Sequence, residues 1–331
     1  MKSSNFNKYK VAVIGCGYWG SIITNSLLKI GIKKIYIYDQ NYKNTLILKK
    51  KYKKRTKKRS YKNMLNYKTI PFFFFATPPS INFKIVSKAI IKNKQIFLEK
   101  PGFIKINEFK KINTLLDKMK KFIMFGYIYC FNNYINYIKK IIQSKKLGKI
   151  LYIRFQRENL GPIRADVNSS YDLSSHDLSI ILHIFNKLPN PIKHIDYQVL
   201  KKNISDISNL HMKLDNTYID INSSWLNPIK VRTITIVGEK KMLFFDELNL
   251  NNPLRIYDKY AKYPDMSKFD KKFINSKAQI YEGNSKSIII NNKSPLINEI
   301  NHFFISMKNK KKPLTNNKFS YRIINFLNRI N

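Results

Sequence analysis

The sequence predicts an α/β protein in two parts: a doubly wound parallel sheet at the N-terminal end, followed by an α+β domain with a large, mostly antiparallel open sheet. Three observations predict it. Short apolar runs alternate with helix-spaced segments up to about residue 121, as parallel strands joined by crossover helices do. A glycine-rich turn, Gly15-Cys16-Gly17-Tyr18-Trp19-Gly20, separates the first run from the first helical segment. After residue 122 strand-like segments predominate and few helices interrupt them. The expected division is therefore 1–122 and 123–331.

The elements follow in order. Lys10-Val11-Ala12-Val13-Ile14 reads as a buried strand, and Ser21 to Lys29 has the apolar spacing of a helix. A second strand, Lys34 to Tyr38, ends in Asp39, and the lysine-rich stretch Lys49 to Arg59 behind it reads as a solvated helical face. Phe72-Phe73-Phe74-Phe75 runs into the stiff turn Ala76-Thr77-Pro78-Pro79-Ser80 and a helix through Ile91. Gln95 to Leu98 leads to Glu99-Lys100-Pro101, then to a helix from about Asn107 to Lys120. Later strands are expected at Ile150 to Phe155, Ile192 to Leu200, Asn209 to Leu214, Thr217 to Trp225, Thr233 to Val237 and Met242 to Asp246. Helices are expected at Tyr134 to Gln143, Asp172 to Asn186, Asn298 to Met307 and Phe319 to Ile330.

The glycine turn has the context a dinucleotide site needs. Gly15 permits the tight turn, Gly17 lets the backbone approach a pyrophosphate, Gly20 allows close helix packing, and the helix N-terminus offers free N–H groups. Asp39 stands twenty-four residues after Gly15, where an acid accepts a ribose 2′-hydroxyl and repels a 2′-phosphate, so NAD is expected before NADP. Ligands of such sheets lie at the carboxyl ends of the strands, which places Thr77, Glu99 and Lys100 beside the glycine turn.

Charge and composition bound the function. The net charge is +42, yet only nine of the 62 basic residues are Arg, the side chain that grips phosphates and base edges bidentately. Lys is spread along the whole chain, so no specific nucleic-acid partner is expected. With only Cys16 and Cys130, no disulfide framework or cysteine metal cluster is indicated. No apolar stretch is long enough to span a membrane and no signal-peptide pattern opens the chain, so a cytoplasmic enzyme is expected.

In Tyr171-Asp172-Leu173-Ser174-Ser175-His176-Asp177, the i, i+4 spacing puts Asp172 and His176 on one helix face. Oxidising a sugar hydroxyl requires removal of its proton as the hydride leaves, and His is the commonest base. Lys100, near the cofactor and partly desolvated, is suited to lower the hydroxyl pKa or share the proton. The alternative for Asp172 and His176 is an ordinary surface pair. His183 lies two turns further on, but no third ligand accompanies it and no metal is expected.

Gly15 to Gly20, Ala76-Thr77-Pro78-Pro79, Glu99-Lys100-Pro101 and the Asp172-x-x-x-His176 helix resemble the glucose-fructose oxidoreductase/inositol dehydrogenase/rhizopine catabolism (Gfo/Idh/MocA) family over nearly the whole chain. The resemblance implies an N-terminal Rossmann domain, an open-sheet second domain, and catalysis by Lys100, Asp172 and His176. It implies cofactor contacts from Gly15, Cys16, Gly17, Tyr18, Trp19, Gly20, Asp39, Thr77, Pro78, Glu99 and Lys100. The stretches Asn159 to Arg164 and Ser224 to Arg232 look like the branch acting on nucleotide-activated (UDP) amino sugars at the ring 3-hydroxyl. Asn132, Arg164 and Arg232 are then the candidate substrate-binding residues. Arg164, Lys230 and Arg232 either meet a diphosphate or are structural and solvent-facing charges. Asn82, Cys130 and Asn133 depart from the family pattern at the expected substrate mouth. The alternatives are a free sugar or inositol dehydrogenase and a non-catalytic NAD-binding protein. The resemblance further implies a homodimer or homotetramer joined through the open sheet.

Overall fold

A computed structural model of the protein describes residues 6–262, 278–291 and 293–330. The chain falls into two compact units, one running to Asn132 and regaining Lys293–Arg329, the other made of residues 133–291. The sequence reading placed its single cut at 122/123. Nothing in local composition reveals that the last two helices return to the first unit, because that choice is made by the apolar faces available to them.

The first unit contains β1 (Lys10–Ile14), α1 (Tyr18–Lys29), β2 (Lys34–Tyr38), α2 (Tyr42–Tyr52), β3 (Thr56–Lys58), α3 (Tyr61–Asn66), β4 (Phe72–Phe75), α4 (Pro79–Ile91), β5 (Gln95–Glu99), α5 (Ile106–Lys118) and β6 (Ile123–Gly126). Among the described residues its sheet has six strands in the order β3-β2-β1-β4-β5-β6, all parallel. The order reverses between β1 and β4, the switch point at which such sheets bind ligands. The strands are apolar throughout because helices cover both faces: Val11, Val13, Phe73 to Phe75, Phe97 and Leu98 are buried.

The lysine-rich stretch does not form one helical face. It is the end of α2, a 3-10 turn over Lys53–Arg55 and the edge strand β3. Charged side chains suit an edge strand, since they discourage further pairing. The helical reading missed it because three residues carry no visible period.

The second unit contains α6 (Asn133–Gln143), β7 (Ile150–Leu160), α7 (Ser175–Phe185), β8 (Asn190–Tyr197), β9 (Ile207–Leu214), β10 (Thr217–Ser224), β11 (Leu226–Gly238), β12 (Met242–Asp246), β13 (Leu254–Lys262) and β14 (Gln279–Ile288). Eight strands among the described residues order as β14-β13-β12-β11-β7-β10-β9-β8. Every pairing is antiparallel except β10 with β7. Period-2 burial defines its inner face, with Ile153 and Phe155 on β7, Leu210 and Met212 on β9, and Ile219 and Ile221 on β10 inside. The all-parallel first sheet and the mostly antiparallel second are those the sequence predicts; β13 and β14 were not foreseen, because β14 is polar along most of its length.

The chain ends in α8 (Pro295–Lys308) and α9 (Asn317–Ile330). Helix α8 lays Phe303 and Phe304 against the β4 phenylalanines, with Phe303 5.1 Å from Phe74 and Phe304 5.0 Å from Phe72. Among the described residues no helix is long and apolar enough to cross a membrane.

Candidate active site

In the first unit, four loops place chemistry at the carboxyl edge of the sheet. After β1, Gly15 takes φ +89° and a Cβ there would strike the Ala76 backbone; one at Gly20 would strike the Gly15 carbonyl. Side chains are excluded at both positions, so the turn closes tightly under α1. Gly17 differs. It caps α1, and nothing lies within 4 Å of the Cβ it lacks. Beside it the first-turn N–H groups of α1 have no intrahelical acceptor, and Tyr18 and Trp19 are exposed. An open cradle beside free N–H groups fits a pyrophosphate.

Asp39 is set by its neighbours. One carboxylate oxygen accepts the Cys16 N–H at 2.6 Å and the other the Asn41 N–H at 2.7 Å, with the Asn44 amide at 3.3 Å. The glycine turn and the start of α2 therefore orient this carboxylate, leaving lone pairs for a ribose hydroxyl. Burial and the adjacent Asp39 push the Cys16 thiol up to about 12, so it remains a thiol and donates weakly to the Tyr38 carbonyl.

Thr77 donates to Asn82 at 2.5 Å, and Asn82 donates to the Gly102 carbonyl at 2.7 Å. Asn82 is fully buried. It ties the Thr77 loop to the loop after Glu99-Lys100-Pro101, a contact between residues twenty apart that the sequence does not display. Pro78 is exposed at the start of α4. Glu99 and Lys100 end β5, and the Glu99 carboxyl lies so close to Gly126 of β6 that a Cβ there would come within 2.8 Å of it. Burial raises Glu99 to about 7 against the pull of Lys100. Cys130 and Asn132 are buried at the end of this unit.

The second unit holds Asp172 and His176. A π-helical turn over Ser170–Ser174 runs directly into α7, a local widening common at functional sites that the i, i+4 spacing does not reveal. Asp172 is held from two sides, by the Arg164 guanidinium at 3.5 Å and the Trp225 indole N–H at 3.4 Å. Arg164 itself forks Asp166 at 2.7 and 2.8 Å. Arg164, for which the sequence left open a diphosphate contact or a structural role, thus already carries two carboxylates.

Arg232 is likewise engaged. It donates to the Glu158 and Val231 carbonyls at 3.0 and 2.8 Å and to the Asn159 side chain at 2.5 Å, bracing the register shift where β11 leaves β7. These contacts tie the guanidinium to the start of β11 and the end of β7. Lys230 is exposed, and Asn133 donates to the Asn291 carbonyl at 2.8 Å.

Helix α7 is fixed to the sheet beside His176. Arg157 of β7 forks Asp177 through Nε at 3.0 Å and Nη2 at 2.6 Å, with side chains 6% and 2% exposed. One turn earlier, Ser174 meets Ser223 at 2.9 Å. Burial pushes the Asp177 carboxyl up and the Arg157 guanidinium opposes it. The sequence reading missed Arg157, Asp166, Asp177 and Trp225. The acid directly after His176 was a visible signal, but its partner lies twenty residues away. His183 pairs with Asn136 at 2.9 Å, and burial lowers it to about 4. Among the described residues no group of three or more His, Cys, Asp or Glu is placed to hold a metal.

The strand order, with the glycine turn at its reversal and an oriented acid after β2, defines a dinucleotide-binding Rossmann domain. Residues 9–127 match the family model described as "Oxidoreductase family, NAD-binding Rossmann fold". Over those residues the chain resembles the NAD-binding domain of the Gfo/Idh/MocA oxidoreductases. Solved structures share its fold over almost its whole length. UDP-N-acetylglucosamine 3-dehydrogenase GnnA from Acidithiobacillus ferrooxidans is 17% identical with a TM-score of 0.74, covering 97% of this chain and 96% of its own. A protein from Magnetospirillum magnetotacticum MS-1 is 18% identical with a TM-score of 0.79, covering 98% and 99%. GenD2 from gentamicin A biosynthesis, in complex with NAD, is 12% identical with a TM-score of 0.78, covering 99% and 94%. No curated protein sequence matches the chain.

Proposed function

We propose that the protein oxidises a ring hydroxyl of a sugar with NAD, the 3-hydroxyl of a UDP-activated amino sugar being the first substrate to test. The observation that carries this reading is the Asp172–His176 pair, in which a carboxylate held by Arg164 and Trp225 precedes a histidine on a helix pinned by Arg157 and Asp177. A pure NAD binder needs no such construction. The name of GnnA, a fold neighbour, supports the choice of sugar.

Bound nicotinamide supplies the hydride acceptor. Gly17 and the first turn of α1 bind the pyrophosphate, and Asp39 accepts a ribose hydroxyl and disfavours a 2′-phosphate. Thr77, Pro78 and Glu99 would contact the nicotinamide end of the cofactor. His176 takes the hydroxyl proton as the hydride leaves, Asp172 orients the sugar and stabilises the charge that develops, and Lys100 polarises the hydroxyl oxygen. One observation favours the second reading, a free sugar or inositol: Arg164 and Arg232 are both engaged by protein acceptors rather than open to a diphosphate. We assign the outer face of the second sheet, where Tyr218 is exposed beside Tyr152, to self-association.

The test is a panel of nucleotide sugars and free sugars with reduced nicotinamide followed optically, after checking the purified protein for bound nucleotide. Lys100→Met and His176→Asn should each lower kcat by roughly a hundredfold or more, with NAD binding retained. Turnover of Lys100→Met at the normal rate overturns the proton-handling roles. Tighter binding of NADP than NAD overturns the role of Asp39.

A further inference from the structure

One buried acid is used by none of the chemistry above. Glu299 of α8 is 1% exposed, and neither carboxyl oxygen accepts a hydrogen bond. The charged group acting on it is Glu99. The packing of α8 explains the meeting. Phe303 lies 5.9 Å from Phe97 of β5. Glu299 precedes Phe303 by one helical turn, about 5–6 Å of rise, and Glu99 follows Phe97 by two strand residues, about 6–7 Å. Steps of nearly equal length along the helix and the strand thus carry both carboxyls to the same end of β5. On the β6 side the absence of a Cβ at Gly126 makes room for the Glu99 carboxyl.

We propose that Glu299 carries a proton at neutral pH and shares it with Glu99, so that the two carboxyls hold one negative charge, and that Glu299 is thereby a positioning residue for Glu99 and the adjoining Lys100. Two ionised carboxylates in so dry a place would repel each other with little solvation to offset it, and a shared proton removes that repulsion. Burial pushes Glu299 well above the carboxylate range and Glu99 only to about 7, where Lys100 opposes it, so Glu299 holds the proton and Glu99 ionises. Among the described residues, His302, Tyr127 and Cys130 do not supply another charge beside Lys100. His302, one turn on, accepts the Leu314 N–H at 3.0 Å and is kept neutral by burial. Tyr127 meets Ser320 at 3.1 Å and burial holds its proton, and Cys130 is a buried thiol. The positioning role rests on the proposed cofactor contact of Glu99; the shared proton does not.

The sign of the linkage is set by a raised acid. The folded state keeps a proton that the unfolded state releases near 4.5, so this stability is present at low pH and is lost as pH rises through the folded value. Glu299→Gln keeps the shape and can donate to Glu99 without titrating. Urea denaturation should show Glu299→Gln gaining on the wild type from pH 5 to pH 9. Infrared spectra of the wild type at pH 8 should contain a protonated carboxylic acid band that Glu299→Gln lacks. Parallel pH curves, or no such band in the wild type, overturn the shared proton. NAD titration tests the positioning role. Glu299→Gln should stay near wild-type affinity while Glu299→Leu, which has no donor, weakens about tenfold. Equal affinities of the two variants overturn that role. All three readouts are independent of sugar turnover, so an inactive protein would refute the proposed reaction without touching this inference.

Discussion

In the second unit Arg157 forks the Asp177 carboxylate at 2.6–3.2 Å, whereas in the first unit the charge acting on the buried Glu299 is that of another acid, Glu99. Both acids are about 1% exposed. The first is compensated by an opposite charge brought across from the sheet, and the second has only a proton to neutralise it. Burial alone therefore does not decide the state of an acid; the neighbour that tertiary packing supplies does. The two solutions suit their places. A fixed ion pair holds the helix that carries His176, while a titratable pair lies at the strand end that carries Lys100.

The contrast also fixes which side of neutrality costs each unit stability. His183 in the second unit is held neutral, down to about 4, by burial. The unfolded chain takes up a proton near 6.5 that the folded chain refuses, so this group contributes stability above that value and loses it as pH falls. The carboxyl pair of the first unit does the reverse and loses stability as pH rises.

The comparison breaks most severely if the ion pair is cut. Arg157→Met leaves Asp177 buried without its partner and should cost about 3–5 kcal/mol in urea denaturation. A loss below ~1 kcal/mol would mean that Asp177 is neutral and that the two acids are alike after all. A middling effect should come from His183→Gln, which keeps a polar partner for Asn136. At pH 5 the variant should lack a proton-linked penalty of about 2 kcal/mol that the wild type carries. The measurement is the difference between the two proteins at pH 5 and pH 8; an unchanged difference would place the loss of stability elsewhere. The smallest effect belongs to an exposed pair. Lys149 and Glu239, 3.8 Å apart at the surface, should be worth less than about 0.5 kcal/mol in a double-mutant cycle. A larger coupling there would show that solvent screening is not what separates buried from exposed charges in this chain.

The Rossmann half was legible because its signals are local. A glycine turn, an acid at a strand end and four short apolar runs are each read within a dozen residues, and each lies where expected. Strand β3 and strand β14 escaped because one is three residues long and the other mostly polar, so neither shows a period. Of the proposed catalytic residues, Lys100, Asp172 and His176 were visible as residue types in telling motifs. The fixtures around them were not. Arg157 meets Asp177 across twenty residues, Trp225 reaches Asp172 across 53, and Asn82 reaches Gly102 across twenty.

The sequence by itself determined the parallel sheet and the glycine turn, since backbone freedom at glycine and strand period belong to short stretches of chain. Only the tertiary structure decided that Arg164 and Arg232 are spent on protein acceptors, that Asn82 is a strut, and that α8 returns to set Glu299 against Glu99. Those outcomes depend on which distant groups share one small, poorly solvated volume, and that is a property of packing.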